Sequence, residues 1–180
     1  IRDSINAAKH KKKRRNVQKV MDNLDFYAKD LSERLVRLDF TSPYRTRIIK
    51  DGLSGKEREL QIPAFYPDQC AHHAIVQVLQ PLIMKSSYYW SCANIPNRGI
   101  DRAAKGVERA TMRDIKHAKY CVKMDIHKFY PSIPHDKLKE HLQRKIKDKK
   151  ALGIIHLVID SYHSSPGHGI PIGNYTSPWL

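Results

Sequence analysis

Acidic residues are scarce in this chain: 18 Asp and Glu stand against 33 Lys and Arg, a formal charge of +15 on 180 residues. An excess of that size destabilises a compact chain by self-repulsion unless a polyanion offsets it. Acidic-surface partners of modest charge give no reason for it, and nucleic acid does; plain solubility or an anionic membrane surface is the bland alternative. Long apolar runs are also missing. No stretch approaches the roughly 18 uninterrupted apolar residues of a membrane span, and the basic run near the N-terminus has no apolar signal-peptide core behind it. The expectation is a soluble, intracellular, cytoplasmic protein without a membrane partner. Cysteine is sparse as well. Cys70, Cys92 and Cys121 are odd in number and lack Cys-x-x-Cys spacing, so they read as reduced core thiols and not as a zinc site or a disulfide framework. There is no internal repeat and no low-complexity tract beyond the basic run.

What is present is a globular balance, with 41% hydrophobic and 28% charged residues, enough for one compact domain or a pair of small lobes. Residues 1 to 40 read as helical. After the run Lys9, His10, Lys11, Lys12, Lys13, Arg14 and Arg15, the apolar Val17, Val20, Met21, Leu24, Tyr27, Ala28, Leu31, Leu35 and Leu38 recur at helical spacing. Lys11, Lys12, Lys13, Arg14 and Arg15 are therefore candidate phosphate contacts at the end of an amphipathic body. Thr46–Lys50 and Arg58–Pro63 are short extended segments separated by Asp51-Gly52 and Ser54-Gly55, which predicts a hairpin.

Asp68 is placed to cap a helix that turns Ala71, Ile75, Val78, Leu79 and Leu82 inward. Residues 94–99 are turn-rich, and Arg102–Lys116 reads as a very basic helix. Tyr120–Ile126 alternates as a strand, with Val122, Met124 and Ile126 on one face and Cys121, Lys123 and Asp125 on the other; Asp125 then faces a cleft. Pro134 opens a helix carrying Leu138, Leu142 and Ile146, a further apolar helix spans 151–162, and a glycine-containing loop covers 167–173.

The chemistry concentrates after residue 120. Adding a nucleotide to a 3′-hydroxyl uses two divalent cations about 4 Å apart, and hard oxygen ligands suit Mg²⁺, with Mn²⁺ as a substitute. Asp125 is placed to be the first ligand, with the Ile126 carbonyl beside it. A lone aspartate at a strand end is more often structural, and the adjacent pair Phe129-Tyr130 changes the weighting only through the family resemblance it carries. Phe129 packs naturally in a core, whereas Tyr130, of opposite strand parity, is exposed to the cleft. Further on, Gly169-Ile170-Pro171-Ile172-Gly173-Asn174-Tyr175-Thr176-Ser177-Pro178 holds a glycine, Gly173, that lets a backbone approach closely for want of a Cβ.

These segments, in this order, resemble reverse transcriptases of the retroelement type, similar to group II intron and diversity-generating retroelement enzymes. Asp125 through Tyr130 matches the Asp-x-x-x-Phe-Tyr/Phe pattern of motif A. The loop to Pro178 resembles the Leu-Pro-Gln-Gly-x-x-x-Ser-Pro pattern of motif B, with Ile172 in place of glutamine. Diversity-generating enzymes carry such a branched aliphatic but end the motif Ser-Gln, where this chain keeps Ser177-Pro178, so the pattern is a hybrid. The segment Tyr44–Lys50 through Gly55–Pro63 is similar to the fingers hairpin of these enzymes, and Asp68-Gln69 with His72-His73 and Arg98-Gly99 look like its next blocks.

The resemblance implies an α+β fold, reverse-transcriptase fingers with the first part of a palm subdomain and no thumb. Residues 1–40 form the basic helical region, 41–119 the fingers and 120–180 a partial palm. It also implies RNA template, DNA primer, deoxynucleoside triphosphates and Mg²⁺ as partners, with Asp125 catalytic. Lys50, Arg58, Phe129, Tyr130, Ile172 and Gly173 would line the nucleotide site, Tyr130 excluding a 2′-hydroxyl, and Arg98 would touch template. Guanidinium suits phosphate bidentately and ammonium as a point charge. The Tyr-x-Asp-Asp segment that supplies the other carboxylates does not occur among the 180 residues, so the fragment is expected to be inactive alone, completed by a missing C-terminal palm and thumb.

Two other classes compete. A non-catalytic RNA-binding module derived from a reverse transcriptase explains the charge but not motif A or the intact glycine loop. A metal-dependent phosphohydrolase can be drawn from Cys70-x-His72-His73, His135-Asp136 and Asp160, although Asp136 sits where a helix start favours an acid.

Overall fold

Val17, Val20 and Leu31 recur at helical spacing because they line the inner faces of helices, where each is almost wholly buried. In a computed structural model the described residues are all of 1–180 except Lys12, Asp51, Leu53, Ser54 and Lys56, together with the side chain of Lys9. The elements run α1 (Arg2–Asn6), a 3-10 turn (Lys9–Lys11), α2 (Arg15–Asp22), α3 (Leu24–Arg37), β1 (Arg45–Lys50), β2 (Glu57–Ile62), α4 (Cys70–Ser86), α5 (Ile100–Arg113), α6 (Phe129–Ser132), α7 (His135–Lys145) and α8 (Lys149–Asp160). A 3-10 turn follows at Ser177–Trp179. The result is helix-rich with a single two-stranded antiparallel sheet among the described residues. No described helix is long and apolar enough to cross a membrane.

The chain divides into two compact units, residues 1–79 with 128–180, and residues 80–127. The first holds the core: Ile5, Phe40, Ala71, Val76, Ile159 and Ile170 are buried together with the helix residues named above. Tyr66 ties α3 to the segment ahead of α4, its hydroxyl donating to the Asp30 carboxylate and to the Tyr27 carbonyl at 3.2 Å. Arg34 adds a 2.7 Å ion pair to Asp30. That hydroxyl and then Arg34 hold the Asp30 carboxyl below its ordinary range, and burial followed by the Asp30 charge pushes the Tyr66 phenol up.

The basic N-terminus is not a loose tail. Ile5 has no exposed surface and Ser4 and Ala8 are buried, so α1 is part of the fold. Ile5→Ala should lower stability by about 2–5 kcal/mol, the usual range for deleting a buried aliphatic side chain. A urea titration with an unchanged slope and a lower midpoint is the expected reading.

Several sequence expectations change. Asp68 does not serve as a helix cap; its buried carboxylate receives the Ser42 amide at 2.8 Å and the Ser42 hydroxyl. Burial raises its carboxyl, and the Ser42 bonds oppose that. Val78 and Leu82, expected inward on α4, are 66% and 52% exposed. Of the cysteines only Cys70 lies in the core; Cys92 is half-buried and Cys121 exposed.

The largest departure is at Tyr120–Ile126, which forms no strand, with Val122 79% and Met124 86% exposed. Its alternation is intact. A strand, however, exists only against a neighbouring edge, and among the described residues β1 and β2 pair only with each other. Asp125 therefore stands on an exposed segment of the second unit, with no sheet behind it.

Candidate functional site

The hairpin register decides which basic residues act together. Arg45 pairs with Ile62, Arg47 with Leu60 and Ile49 with Arg58, whereas Lys50 pairs with Glu57. Directly opposed residues share a face and neighbours alternate, so Arg45, Arg47 and Arg58 lie on one face with Leu60. Lys50 lies on the other, 3.7 Å from the Glu57 carboxylate. Arg58 and Lys50 consequently do not grip one phosphate from the same side. Arg47 is the residue that joins Arg58, and the strict alternation of β1 was the signal for it. The hairpin tip, at Asp51, Leu53, Ser54 and Lys56, lies outside the described residues.

The guanidinium face is the one that meets the glycine loop. A Cβ on Gly173 would lie 3.6 Å from Leu60 Cδ2, and Gly173 has φ +98, a conformation glycine adopts without steric cost. The Ile172 carbonyl accepts from the Gln61 amide at 3.3 Å, extending β2 onto the loop. At the base of the hairpin the Tyr44 hydroxyl contacts Ser161 Oγ at 2.8 Å and accepts from Asn174 Nδ2 at 3.0 Å. Burial raises the Tyr44 phenol, against the two hydrogen bonds that lower it. Ser177 Oγ donates to the Pro171 carbonyl at 2.7 Å and closes the loop from behind.

The aromatic pair reaches the same loop by backbone. Lys128, at φ 48, turns the chain into α6, so Phe129 and Tyr130 are helical residues and strand parity does not govern them. Phe129 is 48% exposed instead of packed in a core, and Tyr130 is half-buried, its ring edge-on to Phe129 with centroids 5.3 Å apart. The Tyr130 carbonyl accepts from the Ile170 amide at 3.1 Å and the Ile133 carbonyl from the Gly169 amide at 2.8 Å. Gly169 has φ +96, and a Cβ there would collide with Ser164. His135, buried at the start of α7, places Nε2 2.7 Å from the Gly169 carbonyl, and its backbone amide donates to the Gly167 carbonyl at 2.9 Å. Nothing in the one-dimensional pattern marked His135 as the clamp of this loop.

That clamp also engages residues from which the hydrolase reading is drawn. His135 Nδ1 lies 3.3 Å from Asp160, which is ion-paired to Lys139 at 2.6 Å, so both its nitrogens and the carboxylate are engaged. His72 is buried with its imidazole pushed down to about 4 by burial and then by His73. Burial followed by the Asp68 charge pushes the Cys70 thiol up to about 12. His73 stacks on Tyr175 with centroids 3.9 Å apart. Among the described residues no three His, Cys, Asp or Glu side chains converge as a metal site.

The same observation tests the ion that motif A implies. Asp125 and the Ile126 carbonyl are two ligand groups with three oxygens, fewer than the roughly six of an octahedral Mg²⁺. The described side chains do not make that centre by themselves.

Of the basic run, Lys13, Arg14 and Arg15 are exposed around the start of α2, and Lys11 lines a cavity of about 230 Å³ with His10, Gln69, His73 and Tyr175. Lys12 lies outside the described residues. Arg98 belongs to the second unit, where Nη1 donates to the Tyr88 carbonyl at 3.0 Å.

No protein-family model matches the chain. It is 25% identical over 171 residues to an uncharacterized 91 kDa protein in a cob intron of Schizosaccharomyces pombe (strain 972 / ATCC 24843). That match covers 88% of this chain and 20% of the relative, so the chain spans about a fifth of the curated relative's length.

Proposed function

We propose that this chain is the fingers and the front of the palm of an RNA-directed DNA polymerase, in which a template-bound primer end is extended by deoxynucleoside triphosphates. One observation carries the reading. The hairpin face bearing Arg47 and Arg58, the Ile172-Gly173 loop and the Phe129-Tyr130 turn, far apart in sequence, are joined by the Gln61–Ile172 and Ile170–Tyr130 backbone bonds. Guanidinium groups beside a glycine loop suit a triphosphate laid against a close backbone, with the half-buried Tyr130 as a steric stop for its sugar.

The divalent ion supplies activation of the attacking hydroxyl and charge neutralisation at the phosphates. Asp125 would be one of its ligands, the rest coming from a Tyr-x-Asp-Asp segment outside residues 1–180. A relative whose name places it in an intron is in keeping with the resemblance to group II intron enzymes.

The test is primer extension by a protein that carries this chain together with such a segment. If Tyr130 is the stop, Tyr130→Val should raise ribonucleotide over deoxyribonucleotide incorporation by about tenfold or more, since selection rests on excluding one hydroxyl. Single-turnover competition between the two nucleotides reads it, and unchanged selectivity would return Tyr130 to a packing role.

A second reading, a non-catalytic RNA-binding module, is favoured by one specific feature. The segment of Asp125 forms no sheet and no acidic cluster among the described residues. Absence of Mg²⁺-dependent synthesis together with retained, salt-sensitive RNA binding would make it the better account.

A further inference from the structure

The second unit contains a cavity of about 560 Å³ lined by Tyr89, Trp90, Arg98, Arg102, Lys105 and Arg109 among others. Its floor is built around one aromatic ring. A Cβ on Gly106 of α5 would overlap the Trp90 indole, with Cε3 at 2.8 Å, so the indole lies directly against the helix backbone at the one residue that has no side chain. Tyr89 holds the ring from the side, edge-on with centroids 4.8 Å apart. The Arg102 guanidinium sits 4.4 Å over the Tyr89 ring, and its Nη2 donates to the Tyr89 carbonyl at 3.4 Å. Arg98 fixes the same turn through Tyr88. One tyrosine ring, a glycine and two arginines that fix the adjoining turn thus hold an indole that is still 40% exposed.

Lys105 and Arg109 lie three and seven residues beyond Arg102 on the same side of α5 and line the cavity without a carboxylate partner among the described residues. Asp101 is the cavity's single acid against four cations. A pinned, partly exposed indole lining a net positive cavity is suited to an unpaired base with its flanking phosphates. Simple core packing of Trp90 would leave the cations unexplained.

We propose that Trp90 is a stacking platform for an unpaired base of single-stranded RNA, with Lys105 and Arg109 contacting the adjacent phosphates. The proposal rests on the RNA-binding part of the function above and needs no catalysis. Gly106 is a positioning residue that acts through Trp90.

The chain has two tryptophans, and Trp179 is buried, so in a Trp179→Phe variant the intrinsic fluorescence reports Trp90. Titration with oligoadenylate about ten nucleotides long, a usual site size for a single-strand binder, should quench that fluorescence. An abasic oligomer of the same length should bind with less than about a tenth of the affinity and without the quench. Gly106→Ala, which raises helix propensity, should weaken oligoadenylate similarly by displacing the indole. The wild-type comparison of intact and abasic oligomers covers the case in which a variant fails to fold.

Equal affinity for the abasic oligomer, or binding without quench, overturns the platform while leaving RNA binding and the polymerase reading intact. Quenching by adenosine monophosphate at the same concentration overturns the strand and makes this a free-nucleotide site. No binding of any oligomer overturns the platform and the RNA reading together.

Discussion

Asp125→Asn, made in a protein that carries this chain and a Tyr-x-Asp-Asp segment, should lower primer extension by about a thousandfold while RNA affinity stays within about twofold. Asparagine keeps the size of the side chain and removes its charge. Loss of a metal-ligating carboxylate forfeits several kcal/mol of transition-state stabilisation, and each 1.4 kcal/mol is about tenfold in rate. The side chain is exposed in the described structure, so its replacement leaves the core and the basic surfaces unaltered. Steady-state extension and filter binding on the same preparation decide it. A variant keeping more than about a tenth of the rate would take Asp125 out of the chemistry.

The second large effect belongs to this chain as it stands. With a formal charge of +15, its RNA affinity should fall linearly in log against log salt with a slope of roughly −3.5 or steeper, which is about a hundredfold over a fourfold rise in salt. Deleting the N-terminus is the wrong variant for this measurement, since Ile5 and Ala8 belong to the core. Lys11, Lys13, Arg14 and Arg15, exchanged together for Gln, remove the charge and keep α1. The slope should flatten by roughly two to three units and all sequences should weaken alike, because phosphate contacts position a strand without reading it.

The placement of Arg14 and Arg15 strengthens the expectation. They stand at the positive end of α2, whose first turn has no acid. A cation there is unfavourable until an anion arrives. An unaltered slope would reduce the run to a solvated face.

Much of the local structure was written in local chemistry. Apolar spacing announced α2, α3, α7 and α8, and the glycines between Lys50 and Arg58 announced the hairpin, because helix and turn formation depend on residues a few positions apart. The same locality explains the failures. Tyr120–Ile126 has every internal mark of a strand, yet pairing is supplied by another segment, and none of the described ones pairs with it. Phe129 is exposed and Tyr130 half-buried because Lys128 turns the chain through a left-handed residue into a helical turn, a choice invisible to parity. Asp68 looked like a cap, and its partner proved to be Ser42, 26 residues away.

By itself, then, the sequence determined the surplus of positive charge, the residue types of the Asp125–Tyr130 segment and of the glycine loop, and the helical and hairpin periods, all of which follow from composition and near-neighbour geometry. Tertiary structure alone decided the groupings. Register, not spacing, set Arg47 beside Arg58 and Lys50 on the far side. Burial made His135 the clamp of Gly169, and Gly106 became the seat of Trp90 only where a turn folded back on α5. Contacts of this kind join segments distant along the chain, and no window of neighbouring residues contains the information that pairs them.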